Sequence, residues 1–211
     1  MMKYTHLFWD FDGTLYDTYP QILSAMQHAL RDFGLSDVQP SEVMLWLKHS
    51  VYDAACHFAP LVGCDPKAIY NRHHQYHKQD DSFLPYNGLE KCLKTLWEAG
   101  CRHYLYTHRD HLSVLQLERD GLWKYFSGGV TSEDGFPSKP APDALLHLLE
   151  KHQLDPNHCL MIGDRGIDME SALNAGIAGA VFDPDGHYFG PQVSIVAKSM
   201  DELEKLLLRA Q

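Results

Sequence analysis

The chain has 211 residues, 45% of them hydrophobic, which is enough to bury one large core with room for an insertion. Its 18 Lys and Arg against 28 Asp and Glu give a net charge of −10, which argues against a general nucleic-acid binder. There is no signal-peptide pattern and no apolar run of membrane-spanning length. The five cysteines contain no CxxC pair, which favours reduced thiols. The sequence therefore predicts a soluble, cytoplasmic protein that binds neither nucleic acid nor membrane.

The first predicted element is a buried strand in the sequence LFWDFDGTL, residues 7–15, which runs into a polar turn. It carries two carboxylates, Asp10 and Asp12, whose burial is costly unless a cation or hydrogen-bond donors compensate. Two carboxylates that converge at a strand end suit a hard cation with oxygen ligands, typically Mg²⁺. A carboxylate can also act as a covalent nucleophile, with a neighbouring carboxyl as its acid–base partner. This stretch is the predicted centre of the site.

Residues 16–84 are rich in His, Gln and aromatic residues, and their apolar spacing predicts helices without an alternating strand. The predicted helices cover residues 20–33, 41–48, 51–59 and 66–79. A run of histidines, His73, His74 and His77, could suggest a metal cluster, but it has no fourth clear ligand. It therefore indicates a solvated or partly packed helix face.

From residue 85 onward the pattern alternates between helix and strand. The predicted helices cover residues 89–99, 111–120, 143–153, 168–174 and 201–209, and the predicted strands cover residues 102–107, 129–131, 158–162 and 178–182. Such alternation favours an α/β fold with a parallel sheet covered on both faces. Ligands of such sheets gather at the carboxyl ends of the strands, where Asp10, Thr107 and Asp164 are predicted to lie.

Three further stretches carry residues that could complete a site. Thr107 ends a strand and could hold a phosphoryl oxygen, although taken alone an ordinary strand-end threonine is the simpler interpretation. Lys139 precedes two prolines at a loop-to-helix junction, where a cation could reach a phosphoryl group; the alternative is a solvated lysine. Asp168 follows Asp164 by four residues, so a turn could return a second carboxylate to the same region, and a helix N-cap is a compatible alternative.

Together these four motifs, in this order, resemble those of the haloacid dehalogenase superfamily of aspartate-nucleophile phosphatases, especially its phosphoglycolate-phosphatase-like branch. The resemblance implies a Rossmann-like core formed by residues 1–15 and 85–211, with residues 16–84 inserted as a helical cap domain. His108 and Arg109 depart from the family pattern, in which small or amide residues are common, so the pocket is predicted to have unusual specificity. Arg165, between the two aspartates of the fourth motif, is interpreted as part of a surface ion pair.

The resemblance also implies roles for individual residues. Asp10 would be the nucleophile that forms an aspartyl-phosphate, and Asp12 the group that protonates the leaving oxygen and then activates water. The predicted catalytic residues are Asp10, Asp12, Thr107 and Lys139. The predicted ligands of Mg²⁺ are Asp10, Asp12 through its backbone carbonyl, Asp164, and Asp168 directly or through water. The implied substrate is a small phosphate monoester, phosphoglycolate-like or a sugar phosphate, hydrolysed by a monomer or homodimer.

Two alternatives stay open at this point. One is a phosphomutase of the same superfamily, similar to beta-phosphoglucomutase, whose cap would have to exclude water and hold both ends of a sugar phosphate. The other is a non-catalytic protein that binds a phosphorylated metabolite or a partner on the same fold. The presence of both Asp10 and Asp12 counts against the second, because loss of either would be its simplest signature.

Overall fold

The computed structural model describes residues 2–77 and 83–210. The chain divides into two compact units, the first formed by residues 1–16 and 85–211 and the second by residues 17–84. No helix among the described residues is both long and apolar enough to cross a membrane. The interpretation of the second unit as a cap domain stays a prediction.

The strands are β1 (His6–Trp9), β2 (Tyr16–Asp17), β3 (Leu84–Pro85), β4 (Arg102–Tyr106), β5 (Phe126–Val130), β6 (Cys159–Gly163), β7 (Ala178–Phe182) and β8 (Ile195–Ala197). The helices are α1 (Tyr19–Asp32), α2 (Pro40–Leu47), α3 (Val51–Val62), α4 (Pro66–His77), α5 (Leu89–Glu98), α6 (Leu112–Arg119), α7 (Asp143–His152), α8 (Gly166–Asn174) and α9 (Met200–Arg209). Short 3₁₀ turns occupy Trp123–Tyr125, Ser132–Asp134 and Pro156–His158. The short strands β2 and β3 pair with each other.

Six strands of the first unit form one parallel sheet in the order β5-β4-β1-β6-β7-β8. Alternate side chains of a strand face opposite sides of the sheet. Phe8 packs against α7 and α8 on one side. On the other side Trp9 donates a hydrogen bond to His103, whose ring also contacts the Leu93 carbonyl of α5. Helices therefore cover both faces, and all five residues of β6 are buried. The predicted α/β class with a parallel sheet is confirmed.

The strand register brings the predicted site residues to one edge. Trp9 aligns with Leu105 on one side and with Ile162 on the other, and the Asp10 N–H donates to the Ile162 carbonyl at 2.9 Å. The residues that follow these strands, Asp10, Thr107 and Asp164, consequently leave the sheet at nearly the same level. The carboxyl edge of the three central strands is where their side chains meet.

A tight turn follows β1 and fixes the direction of Asp12. Gly13 has a positive φ of 70°, a conformation that costs other residues energy. Its N–H donates to the Tyr16 carbonyl at 2.8 Å, and the Tyr16 N–H donates to the Phe11 carbonyl at 3.0 Å. The Tyr16 hydroxyl in turn donates to Asp120 at 2.6 Å. Asp12 is therefore held on a closed turn rather than on an extended strand.

The second unit has its own apolar core, formed where α1, α2, α3 and α4 pack together. Ser50 caps α3 by accepting a hydrogen bond from the Asp53 N–H at 2.9 Å, and Gly63 ends it in the left-handed conformation. His73 lies inside this core with Nε2 3.3 Å from the Ile22 carbonyl. Burial lowers the pKa of His73 to about 3, so the ring is neutral, as expected of a packed side chain.

Several element boundaries differ from the sequence predictions. Helix α3 continues through Pro60 instead of ending at residue 59, because a proline near the end of a helix removes only one hydrogen bond. Strand β5 begins at Phe126 rather than at residue 129; its Gly129 packs so tightly that a Cβ there would lie 2.6 Å from the Leu105 Cβ. The short strands β2, β3 and β8 were not predicted, and residues 78 and 79 of the predicted fourth helix lie outside the described residues.

His103 makes the stability of the first unit depend on pH. Its Nδ1 accepts from the Trp9 indole at 2.9 Å, its Nε2 faces the Leu93 carbonyl at 3.1 Å, and burial lowers its pKa from 6.5 to about 4. Between pH 6.5 and 4, His103 is protonated in the unfolded chain but neutral in the folded chain. The free energy of unfolding therefore falls as the pH falls through this range. The full effect is roughly 3 kcal/mol.

We expect His103→Gln to flatten this dependence by up to about 1.4 kcal/mol per pH unit, measured by urea unfolding across that pH range. His187, an exposed histidine, provides the matched control His187→Gln, which should leave the slope unchanged. An identical slope in wild type and His103→Gln would show that His103 does not stay neutral in the fold.

Candidate active site

The centre of the site is the fully buried ammonium of Lys139. Its Nζ donates to Asp168 Oδ1 at 2.7 Å, to Asp10 Oδ1 at 2.9 Å and to the Tyr106 carbonyl at 2.9 Å. An ammonium has three N–H donors, and these three acceptors match them. Burial acts to lower the pKa of Lys139, but the carboxylates of Asp10 and Asp168 outweigh it and raise the pKa. Lys139 therefore stays charged, which argues against the solvated lysine that the sequence left open.

Asp10 is a buried carboxylate with one oxygen paired and one oxygen without a hydrogen bond among the described residues. Burial raises its pKa in spite of the opposing charges of Lys139 and Arg165. Oδ1 bonds to Lys139, whereas Oδ2 is buried and accepts no hydrogen bond from any residue that the structure describes. A further positive charge at Oδ2 would favour the ionised form of Asp10.

A metal ion fits this position. Within the described part of the chain, one group of side chains could hold a cation: Asp10, Asp164 and Asp168, whose carboxylate oxygens lie within 4.8 Å of one another and are all buried. An all-oxygen donor set suits Mg²⁺. The histidines of α4 are not part of this group. Both oxygens of Asp168 also accept hydrogen bonds, from Lys139 and from the Arg165 N–H at 3.1 Å.

The side chain of Asp12 lies outside this group. Its Oδ1 accepts a hydrogen bond from Arg109 Nε at 2.8 Å, and it is 25% exposed, compared with 2% for the side chain of Asp10. The turn at Gly13 is what separates the directions of the two carboxylates. The structure therefore offers one enclosed carboxylate and one that a ligand can reach. The predicted metal contact of the Asp12 backbone carbonyl stays a prediction.

Thr107 and the residue after it hold the loop beyond β4. Thr107 is buried, and its hydroxyl accepts from the Arg109 N–H at 3.0 Å. His108 Nε2 accepts from the Lys139 N–H at 2.8 Å. Burial, followed by the charges of Lys139 and Arg165, lowers the pKa of His108 to about 4, which keeps the ring neutral and able to accept. His108 thus fixes the backbone of Lys139, a role that the sequence did not indicate.

The predicted ion pairing of Arg165 is present, but its predicted location at the surface is wrong. Its side chain is only 16% exposed, with Nη2 3.9 Å from Asp10 Oδ2 and Nε 4.0 Å from Asp164 Oδ1. Helix α8 begins at the next residue, Gly166, rather than at residue 168. Arg165 therefore lies between the end of β6 and the start of α8, and its side chain faces the carboxylates of Asp10 and Asp164. This orientation depends on the residue at which the helix begins.

Buried carboxylates and a lysine thus meet at the carboxyl edge of a parallel α/β sheet. The family model described as haloacid dehalogenase-like hydrolase matches residues 7–182. The chain is 30% identical over 181 residues to a phosphoglycolate phosphatase from Vibrio vulnificus, covering 80% of this chain and 79% of that one. It is 26% identical over 208 residues to pyrophosphatase PpaX from Listeria monocytogenes, covering 95% of each.

The fold has a similar solved structure, a predicted phosphoglycolate phosphatase from Haemophilus somnus. The TM-score is 0.79 at 19% identity, over 98% of this chain and 99% of that one. The chain belongs to the haloacid dehalogenase-like hydrolases, and its relatives within that family are phosphatases. The predicted family and the predicted enzyme class, a phosphoric monoester hydrolase, are confirmed at that level.

Gly163 is required by the packing of Asp168. A Cβ at residue 163 would lie 2.5 Å from the Cβ and Oδ2 of Asp168, well inside van der Waals contact. We expect Gly163→Ala to displace Asp168 from Lys139 and to lower the free energy of unfolding by about 1–3 kcal/mol, the usual cost of overpacking. Urea unfolding measures the loss, and unchanged stability would show that Asp168 has room to move.

Proposed function

We propose that the protein is a Mg²⁺-dependent phosphatase that hydrolyses a small phosphate monoester through an aspartyl-phosphate on Asp10. The observation that carries the proposal is the pairing of two carboxylates in different environments. Asp10 is enclosed and ion-paired to Lys139 at 2.9 Å, whereas Asp12, two residues on, is partly exposed. Such a difference suits one carboxylate to nucleophilic catalysis and its neighbour to acid–base catalysis.

The first step would be attack by a carboxylate oxygen of Asp10 on phosphorus, with cleavage of the bond between phosphorus and the ester oxygen. Asp12 would donate a proton to that oxygen as it leaves, so it departs as a hydroxyl group rather than as an alkoxide. In the second step Asp12 would take a proton from water while the water oxygen attacks the phosphoryl group. Inorganic phosphate is released and the Asp10 carboxylate is restored.

The remaining residues would position these groups and neutralise charge. Lys139 would offset the charge of Asp10 and of the transferred phosphoryl oxygens, since it lies against Asp10 already. Thr107, buried at the end of β4, would hold a phosphoryl oxygen through its hydroxyl. Asp10 and Asp164 would hold Mg²⁺, with Asp168 contributing directly or through water. When bound, the ion would supply positive charge to the phosphoryl oxygens.

The named relatives support a small substrate. One acts on phosphoglycolate and the other on pyrophosphate, by their names. For this chain we propose a phosphoglycolate-like ester or a sugar phosphate, with substrate selection assisted by residues 16–84 acting as a cap. A cytoplasmic location and a monomeric or homodimeric state are part of the same proposal; all five cysteines are free, in keeping with a reducing compartment.

Asp10→Asn tests the nucleophile. We expect phosphate release from small phosphate esters in Mg²⁺ to fall at least about a thousandfold, because an amide is not a comparable nucleophile. Asp12→Asn should instead accumulate one covalent phosphoryl group, visible by intact-protein mass spectrometry, when an ester with a good leaving group is supplied. The exposed variant Asp185→Asn is the charge-matched control.

If Asp10→Asn keeps an activity close to that of wild type, Asp10 is not the nucleophile. A folded wild-type protein that converts a hexose phosphate to its isomer without releasing phosphate would favour the mutase. Absence of both reactions across the ester panel would favour the non-catalytic alternative.

Metal binding has a separate test that does not use activity. A ligand that binds only the folded state at about 100 times its Kd stabilises by about 2.7 kcal/mol. We expect Mg²⁺ to raise the unfolding temperature of wild type and of Asp185→Asn, and to have much less effect on Asp164→Asn, which lacks one of the buried carboxylates. Equal Mg²⁺-dependent shifts in all three proteins would place the ion elsewhere.

A further inference from the structure

Arg109 is held in place more firmly than a surface arginine. Its N–H donates to the Thr107 hydroxyl at 3.0 Å, and its carbonyl accepts from the Ser132 N–H at 2.8 Å. The guanidinium lies over the Phe11 ring at 5.3 Å, a cation–π contact that orients the plane of the group. Backbone and side chain are thus both fixed, and the position of this cation follows from the fold.

The guanidinium lies beside the proposed proton donor. Its Nε donates to Asp12 Oδ1 at 2.8 Å, and the two side chains are 20% and 25% exposed. In the proposed reaction Asp12 contacts the leaving oxygen, so Arg109 lies one hydrogen bond further from the phosphoryl group, on the leaving-group side. Lys139, by contrast, is enclosed against Asp10 and serves the transferred group.

The contact with Asp12 leaves Arg109 open to competition by a ligand. Both side chains are partly exposed, so an incoming anion can reach the guanidinium and share its donors with Asp12. A guanidinium also presents a planar fork of donors that matches a carboxylate or a phosphate. A cation on the leaving-group side gains no ionic contact from an ester whose alcohol is uncharged. It gains one from an alcohol that carries a negatively charged group.

We propose that Arg109 determines specificity by binding a second anionic group of the substrate, a carboxylate or a phosphate. This group would stand on the atom bonded to the leaving oxygen or on the next atom, because those positions lie within reach of a guanidinium adjacent to Asp12. The inference rests on the proposed phosphatase function and narrows its substrate class. An alternative role for Arg109 is to position Asp12 alone, which would affect charged and neutral esters equally.

The test compares two esters that differ only in the second group, phosphoglycolate and hydroxyethyl phosphate. Wild type should prefer phosphoglycolate, and Arg109→Gln should reduce the ratio of the two kcat/KM values by about 10- to 100-fold, as expected for a charge-assisted hydrogen bond. Most of the change should appear in KM for phosphoglycolate. Arg109→Lys should restore part of the ratio, and the exposed variant Arg119→Gln, with the same change in charge, should retain it.

A ratio that is unchanged in Arg109→Gln, or equal losses on both esters, would overturn the inference and leave the phosphatase proposal intact. Pyrophosphate is a third substrate for this test. If its kcat/KM is higher than that of phosphoglycolate, the second group is a phosphate; if its kcat/KM is lower, the second group is a carboxylate.

A binding measurement separates this inference from the proposed function. Phosphonopropionate and hydroxypropylphosphonate replace the bridging oxygen of the two esters by carbon and cannot be hydrolysed. Calorimetry in Mg²⁺ should show tighter binding of phosphonopropionate to wild type and to Arg119→Gln, and loss of that preference in Arg109→Gln. If no ester is hydrolysed but this pattern is seen, the second-anion site stands and the phosphatase proposal fails. Equal binding of both phosphonates to wild type overturns the inference.

Discussion

The buried ammonium of Lys139 joins parts of the chain that are far apart in sequence. It contacts Asp10 after β1, the Tyr106 carbonyl at the end of β4 and Asp168 in α8. A buried charge is tolerated only when its partners are all in place, and removal of one partner leaves a charge without compensation. The same contacts that hold the carboxyl edge of the sheet together therefore also set the electrostatic state of Asp10. The stability of this edge of the sheet and the ionisation of Asp10 therefore depend on the same three contacts of Lys139.

The topology of the sheet explains why this arrangement forms where it does. Strand β1 lies between β4 and β6, and both neighbours are reached by parallel crossovers. Loops leaving the carboxyl ends of adjacent parallel strands diverge and create a crevice at that edge. Asp10 follows β1, Thr107 follows β4 and Asp164 follows β6, so all three residues lie at this crevice. The remaining contacts come from the loop before α7 and the first turn of α8, which close on the crevice.

The sequence predicted those features that depend on local pattern. Apolar runs ending in Asp10 or Asp164 require burial on both faces, so the central strands and the fold class were accessible. Strand β8, of three residues at the edge of the sheet, and β5, with its paired glycines, carry too little apolar signal. The roles of His108 and Arg165 were not accessible, because both depend on contacts with distant segments. His108 has its pKa lowered to about 4 only because the fold buries it near Lys139 and Arg165.

Thr107 and the two residues after it lie on one loop but face three different parts of the site. Thr107 is buried at the strand end, His108 faces inward to the Lys139 backbone, and Arg109 faces the partly exposed Asp12. In the proposed reaction, Thr107 would contact the phosphoryl group, His108 holds the backbone of Lys139, and Arg109 would lie on the leaving-group side. Because the backbone of Arg109 is held separately, by Thr107 and by Ser132, exchanging its side chain would alter the surroundings of Asp12 without displacing Lys139. The proposed substrate specificity and the buried charges of the site therefore depend on different side chains of the same loop.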